Sequence, residues 1–190
     1  SGGKDCGCVL ELIRQSGVSV PCVFSDDEWW LPETEQYLNR LEASGVDLRW
    51  IRTNARHAEW FSTSGDYDGI PDYAQQQGFE GVFLGLRKDE NSYRRLGLGH
   101  RGLLYFAKKD QAWQCSPIGK WSVRDVWAFI FSNDLDYNRA YDRLSEIGIE
   151  RERQRIGPFA VERALGYGQL AILKRGWPER YRQFVAAHPA

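Results

Sequence analysis

The segment Ser1-Gly2-Gly3-Lys4-Asp5 is the stretch of this chain best equipped for chemistry. Two glycines let the backbone turn tightly and gather several N–H groups around one point. Lys4 adds a positive charge, and Val9, Leu10 and Ile13 behind it recur at helical spacing. A glycine turn feeding a helix N-terminus cradles phosphate, because N–H groups and the positive end of the helix dipole converge there. The turn is too short for the Walker pattern and lacks the three glycines of the dinucleotide fingerprint. A Ser-Gly-Gly start carries little weight alone. It gains weight here from Lys4-Asp5, from the amphipathic helix and from a second motif downstream.

That second motif runs from Gly85-Leu86-Arg87 to Arg94-Arg95, directly after the apolar run Gly81 to Leu84. Arginine forks grip phosphate or sulfate oxygens in pairs. Seven residues separate Arg87 from Arg94, so the two share one face if the segment is helical. Most charge runs are solvated helix faces. The position after an apolar strand ending in Gly85 favours anion binding instead.

Other reactive side chains read more blandly. Cys6, Cys8, Cys22 and Cys115 form no C-x-x-C pair and read as reduced, mostly buried thiols. Cys115 is the redox candidate, since the others fall in the phosphate-loop helix or a core strand. His57, His100 and His188 are scattered, which argues against structural zinc. His57 reads as a surface residue. Asp26-Asp27-Glu28 reads as a solvated acidic loop, and Trp29-Trp30 as packing rather than base stacking.

These residues need a scaffold that brings them to one place. A length of 190 residues suits one domain with a proper core. The net charge of −1 announces no nucleic-acid binder, though it does not exclude a local basic groove. No apolar run reaches the length of a bilayer span and no signal-peptide pattern is present, so the expected location is cytoplasmic, with no membrane partner. Residues 6–16 read as a helix closed by Gly17, Pro21 to Ser25 as a strand, and Pro32 onward as a helix with Tyr37, Leu38 and Leu41 on one side, ended by Gly45. Leu48 to Ile51 and Gly81 to Leu84 are further strands. Residues 53–78 read as an insertion with a short helix near Tyr73. Leu103 to Phe106 and Ala112 to Cys115 pair as a hairpin, and Ser122 to Asp125 is a capping box opening a helix with Val126, Trp127 and Ile130. From Tyr137 the tail is helical, broken at Gly148, Gly157-Pro158 and Gly166.

Alternating strands and helices predict an α/β fold: a three-layer sandwich with a mainly parallel sheet and a helical C-terminal extension. Residues 1–135 are expected to form the nucleotide-binding part and 136–190 the extension of the same domain. Met is absent, even at position 1. In a doubly wound fold a strand precedes the phosphate loop. The expectation is therefore a piece of a longer protein, with an open slot beside the Pro21 to Ser25 strand.

The ordered set of motifs resembles the phosphoadenosine-phosphosulfate reductase family, within the adenine-nucleotide alpha-hydrolase superfamily. The motifs are Ser1 to Asp5, Asp26-Asp27 with Pro32-Glu33-Thr34, Gly85 to Arg94, and Pro117-Ile118 with Trp121 and Asp125-Val126-Trp127. They cover roughly the first two-thirds of the chain. The resemblance implies that Ser1, Gly2, Gly3, Lys4 and Cys6 line the phosphates of a nucleotide. It implies that Phe24, Ser25 and Asp26 border the adenosine, that Gly85 approaches the nucleotide closely, and that Arg87 and Arg94 take the far anionic group. Lys4, Asp5 and Arg87 would be the catalytic set, with Asp5 orienting the loop or a Mg²⁺ ion. Two departures stand out. Cys6 replaces the usual Ser or Thr, and no Cys follows Cys115, whereas reductases of the family carry a C-terminal Glu-Cys-Gly.

The leading expectation is therefore an ATP pyrophosphatase that adenylates an unidentified acceptor, with ATP as the nucleotide and with sulfur-donor or DNA-modification proteins as partners. The alternatives are a thiol-dependent reductase of phosphoadenosine phosphosulfate and a non-catalytic nucleotide- or DNA-associated module using the arginines around Arg94 and Arg151.

Overall fold

Tyr37, Leu38 and Leu41 fall on one side of a helix, and Phe24 needs an apolar lid. Those two demands place the first elements. The computed structural model describes residues 2–26, 29–52, 69–157 and 168–187. Helix α1 (Lys4–Gln15) is followed by strand β1 (Cys22–Ser25), helix α2 (Pro32–Ala43) and strand β2 (Leu48–Ile51). Pro32 opens α2 at the position where its missing N–H costs nothing. β1 and β2 pair in parallel, with Phe24 opposite Trp50. Phe24, Leu38 and Leu48 form a small core of their own.

Helix α3 (Ile70–Gln76) then leads into β3 (Gly81–Phe83), α4 (Ser92–Arg101), β4 (Leu104–Ala107) and β5 (Ala112–Cys115). β5 lies between its neighbours, parallel to β3 and antiparallel to β4. The hairpin and the short helix around Tyr73 thus form where the sequence indicated. Helix α5 (Val123–Ser132) starts with a reciprocal cap. Ser122 Oγ accepts the Asp125 N–H at 3.2 Å and the Asp125 carboxylate accepts the Ser122 N–H at 2.7 Å, which holds the Asp125 pKa below the usual carboxylate range. Helix α6 (Ala140–Glu146) and the helices Gln169–Gly176 and Pro178–Ala187 complete the described elements. No described helix is long and apolar enough to cross a membrane.

The expected parallel sheet is realised in two pieces rather than one. Among the described residues β1 pairs only with β2, and β3 only with β5. Both strands instead line a cavity of about 210 Å³, closed by apolar side chains of α1, α2 and α3 such as Val9, Leu38 and Tyr73. The cavity lies beside the Cys22–Ser25 strand.

The main core joins α1, α5, α6 and the C-terminal helices through Cys8, Val126, Trp127, Tyr141, Leu173 and Phe184. Two polar contacts anchor the extension to the α/β part. The Trp177 indole N–H donates to the Glu33 carboxylate at 2.9 Å, and the Asn138 amide donates to Thr34 Oγ1 at 2.9 Å. The Pro-Glu-Thr segment of α2 therefore faces the extension.

Candidate functional site

Helix α1 begins at Lys4, two residues earlier than its apolar period suggested, and Lys4 and Asp5 occupy its first turn. Gly3 is the N-cap residue, in an extended conformation, and no side chain caps the helix. Gly2 adopts φ +60°, the left-handed region that glycine enters at little cost. Gly85 is the point where the second motif meets the first. A Cβ built on it would lie 2.8 Å from the backbone carbon of Asp5 and from the Cys6 nitrogen. Only a glycine lets the chain leaving β3 approach the first turn of α1 this closely. The two motifs thus meet at the first turn of α1.

Three charged side chains lock together at that junction. Lys4 Nζ lies 2.9 Å from Asp5 Oδ2, and Arg87 Nε donates to Asp5 Oδ1. Lys4 is 2% exposed and Arg87 1%. Arg87 also reaches the Trp121 carbonyl at 3.4 Å, and the half-exposed carboxylate of Asp89 is 3.7 Å away. Two buried cations share one buried carboxylate, and their second counter-charge, Asp89, is half exposed, so among the fully buried side chains alone the cations outnumber the carboxylates. Desolvation lowers the Lys4 pKa, with the Asp5 carboxylate pulling the other way.

Both oxygens of Asp5 are engaged by these cations. Asp5 therefore does not suit the Mg²⁺ role expected of it, since a hard cation needs free carboxylate oxygens. No cluster of three metal-ligating side chains occurs among the described residues.

Arg94 stands apart. The chain passes through a short 3-10 turn at Lys88–Glu90 before α4 begins at Ser92, so Arg87 precedes the helix and the two arginines share no helical face. The cause is local: Glu90 accepts the Arg87 N–H at 2.9 Å, and Asn91 Oδ1 caps α4 by accepting the Arg94 N–H at 2.9 Å. The Arg94 guanidinium pairs with Glu90 at the rim of the site. Phe24 is 1% exposed and belongs to the core, where it lines the cavity that Gly2, Gly3 and Gly85 also border; Ser25 and Asp26 are partly exposed at the end of β1. Cys6 is partly exposed in the first turn of α1. Trp29 packs edge-on against Phe184 at 5.0 Å and Trp30 against Phe24 at 4.6 Å, as the packing reading expects. Ser1, Asp27, Glu28, His57, Pro158 and Gly166 lie outside the described residues.

Burial raises the pKa of the thiols of Cys8, to about 12, and of Cys22 and Cys115. Cys115 sits in β5 between Phe83 and Leu104. None of these three surroundings favours a thiolate.

Sequence reading missed Asn138 and Tyr141. Asn138 Nδ2 donates to the Gly2 carbonyl at 3.2 Å, and the Tyr141 hydroxyl accepts the Lys4 N–H at 3.2 Å. The available signal was an Asn just before a helix in a tail otherwise read only for its helical tendency.

Residues 1–157 match the family model described as the phosphoadenosine phosphosulfate reductase domain. The phosphoadenosine 5'-phosphosulfate reductase of Xylella fastidiosa (strain 9a5c) is 23% identical over 163 residues, covering 75% of this chain and 65% of that protein. The reductase of Xanthomonas axonopodis pv. citri (strain 306) is also 23% identical over 163 residues, with 75% and 64% covered. The chain thus spans just under two thirds of the length of these relatives. Among solved structures, the phosphate complex of phosphoadenylyl-sulfate reductase from Candida auris superposes with a TM-score of 0.60 at 17% identity, covering 83% of this chain and 77% of that one. FMN adenylyltransferase from Candida glabrata, in complex with FAD and inorganic pyrophosphate, gives a TM-score of 0.52 at 15% identity, with 74% and 48% covered. These structural likenesses establish a shared α/β fold.

Proposed function

The chain belongs to the phosphoadenosine phosphosulfate reductase domain family, and on that footing we propose that it binds a phosphate- and sulfate-bearing adenine nucleotide as a substrate for reduction. The observation that carries this reading is the buried Lys4–Asp5–Arg87 network, with its two cations on one buried carboxylate, where the two motifs meet. The amides at the start of α1 and the Lys4 ammonium hold phosphate oxygens. Asp5 keeps both cations aimed. Arg87 takes a second anionic group, Arg94 guards the rim once released from Glu90, and Ser25 and Asp26 border the adenosine.

Reduction of the sulfonyl group needs two electrons from a dithiol. A thiolate attacks the sulfur, the S–O bond to the nucleotide breaks, and adenosine bisphosphate leaves with the electron pair. A second thiol then displaces sulfite and forms a disulfide. The positive site lowers the barrier by neutralising the leaving phosphate. Burial disfavours a thiolate at Cys8, Cys22 and Cys115, so this reading takes its attacking thiolate from a thiol other than these three.

Those same thiol environments favour a second reading, in which the site adenylates a substrate with ATP and releases pyrophosphate. One pair of assays separates the two. Sulfite release from phosphoadenosine phosphosulfate with a dithiol reductant is expected; pyrophosphate release from ATP without sulfite would replace reduction by adenylation. In either case Cys115→Ser should leave nucleotide affinity within about twofold of the parent by isothermal titration, because Cys115 makes no charge-assisted contact with the site.

A further inference from the structure

We propose that Thr34, Asn138 and Tyr141 are positioning residues for the phosphate-binding turn, so that the C-terminal extension forms part of the site. The proposal rests on the reading that this turn holds the nucleotide's phosphates.

The contacts form a clasp with two jaws. In the first, the Asn138 side chain is 0% exposed and makes three hydrogen bonds. Its Nδ2 donates to the Gly2 carbonyl at 3.2 Å and to Thr34 Oγ1 at 2.9 Å, while its Oδ1 accepts the Ala140 N–H at 3.0 Å. Thr34 is also 0% exposed. Its methyl carbon lies 2.9 Å from the place where a Gly2 Cβ would be. In the second jaw, the Tyr141 hydroxyl, on a side chain 3% exposed, accepts the Lys4 N–H at 3.2 Å. The Tyr141 ring also sits 5.0 Å beneath Lys4 Nζ.

One jaw grips the carbonyl before Gly3 and the other the amide after it. The peptide planes on both sides of Gly3 are thereby fixed, and the direction of the next amides of α1 is fixed with them. A glycine pair without such anchors samples many conformations and has to be ordered by its ligand, which weakens binding. Each anchor comes from an element distant in sequence. Thr34 is in the first turn of α2, and Asn138 and Tyr141 are in the extension. Ligand affinity is therefore tied to the docking of the extension.

The test is titration of phosphoadenosine phosphosulfate into the full chain and into Thr34→Val, Thr34→Ser, Asn138→Asp and Tyr141→Phe, with Lys4→Ala as control. Thr34→Val and Tyr141→Phe should each weaken binding roughly tenfold, the order of one residue's ordering entropy. Amide exchange at Gly3 and Lys4 should speed up while the α5 amides keep their protection. Thr34→Ser, which retains the hydroxyl, should restore both. A purely structural role would instead speed exchange throughout the core and lower the thermal midpoint. Asn138→Asp buries a charge and can fail to fold; Thr34→Val, nearly isosteric, and Tyr141→Phe, which loses one oxygen, carry the test without it. Parent-like affinity in both of these variants, alongside a weakened Lys4→Ala, would overturn the clasp and leave the phosphate site standing. Parent-like affinity in Lys4→Ala as well, or no binding by the parent, would overturn the site and the clasp together.

Discussion

Replacing Arg87 with alanine should cost about 3–5 kcal/mol of folding free energy, the range for breaking one side of a buried ion pair. The side chain is 1% exposed and its Nε is bound to Asp5, so its loss empties a large buried volume and leaves Asp5 to Lys4 alone. Urea denaturation gives the stability change, and titration of phosphoadenosine phosphosulfate into the protein that remains folded gives the affinity. Lys4→Ala breaks the other side of the same buried network, so it too should lower stability, and in the protein that stays folded it should lose about 1.5–3 kcal/mol of charge-assisted contact, roughly 10- to 100-fold in Kd. An Arg87→Ala protein as stable as the parent would show that the network is not built into the fold. The pH dependence supplies an independent check. Burial lowers the Lys4 pKa, so raising pH discharges it before an ordinary lysine, and nucleotide affinity should begin to fall in that window. Stability moves the other way there. Between the lowered native pKa and the ordinary unfolded one, the unfolded chain binds more protons, and folding becomes more favourable as pH rises.

Gly85→Ala should destabilise the protein by about 1–3 kcal/mol, the usual cost of forcing a methyl into packed surroundings, and should abolish measurable nucleotide binding. The new methyl would meet the backbone of Asp5 and Cys6 at 2.8 Å. No side chain can swing aside to relieve a backbone contact, so the first turn of α1 has to move, carrying Lys4 and Asp5 away from Arg87. Gly99→Ala is the matched control. Gly99 lies in α4 with nothing within 4 Å of its Cβ position, so alanine there should be neutral or gain about 0.5–1 kcal/mol. Thermal unfolding and titration of both variants check the pair. Equal behaviour of the two would mean that Gly85 is not the contact joining the motifs.

Much of the scaffold was legible because periodicity is local. Leu48–Ile51, the β4–β5 hairpin and the Ser122 cap depend on residues a few positions apart, and they form where their side chains demanded. The start of α1 was legible only approximately. Apolar spacing marks where a helix is buried, whereas its first turn is polar and is set by Gly3 and by the Tyr141 hydroxyl. The seven-residue spacing of Arg87 and Arg94 misled for a related reason. It assumed an unbroken helix, and Glu90 and Asn91 interrupt the backbone by hydrogen-bonding to it.

By itself the sequence determined the α/β class, the two glycine-led charged motifs and their order along the chain, because each is written in contiguous residue types. Tertiary structure decided which charges meet. It placed Arg87 on Asp5 and Arg94 on Glu90, engaged both Asp5 oxygens with cations, and brought Thr34, Asn138 and Tyr141 around Gly2 and Lys4. The physical reason is range. Helix and strand periods report neighbours within one or two turns, while a buried charge or amide is satisfied by whatever partner the packing brings within about 3 Å, however distant in sequence.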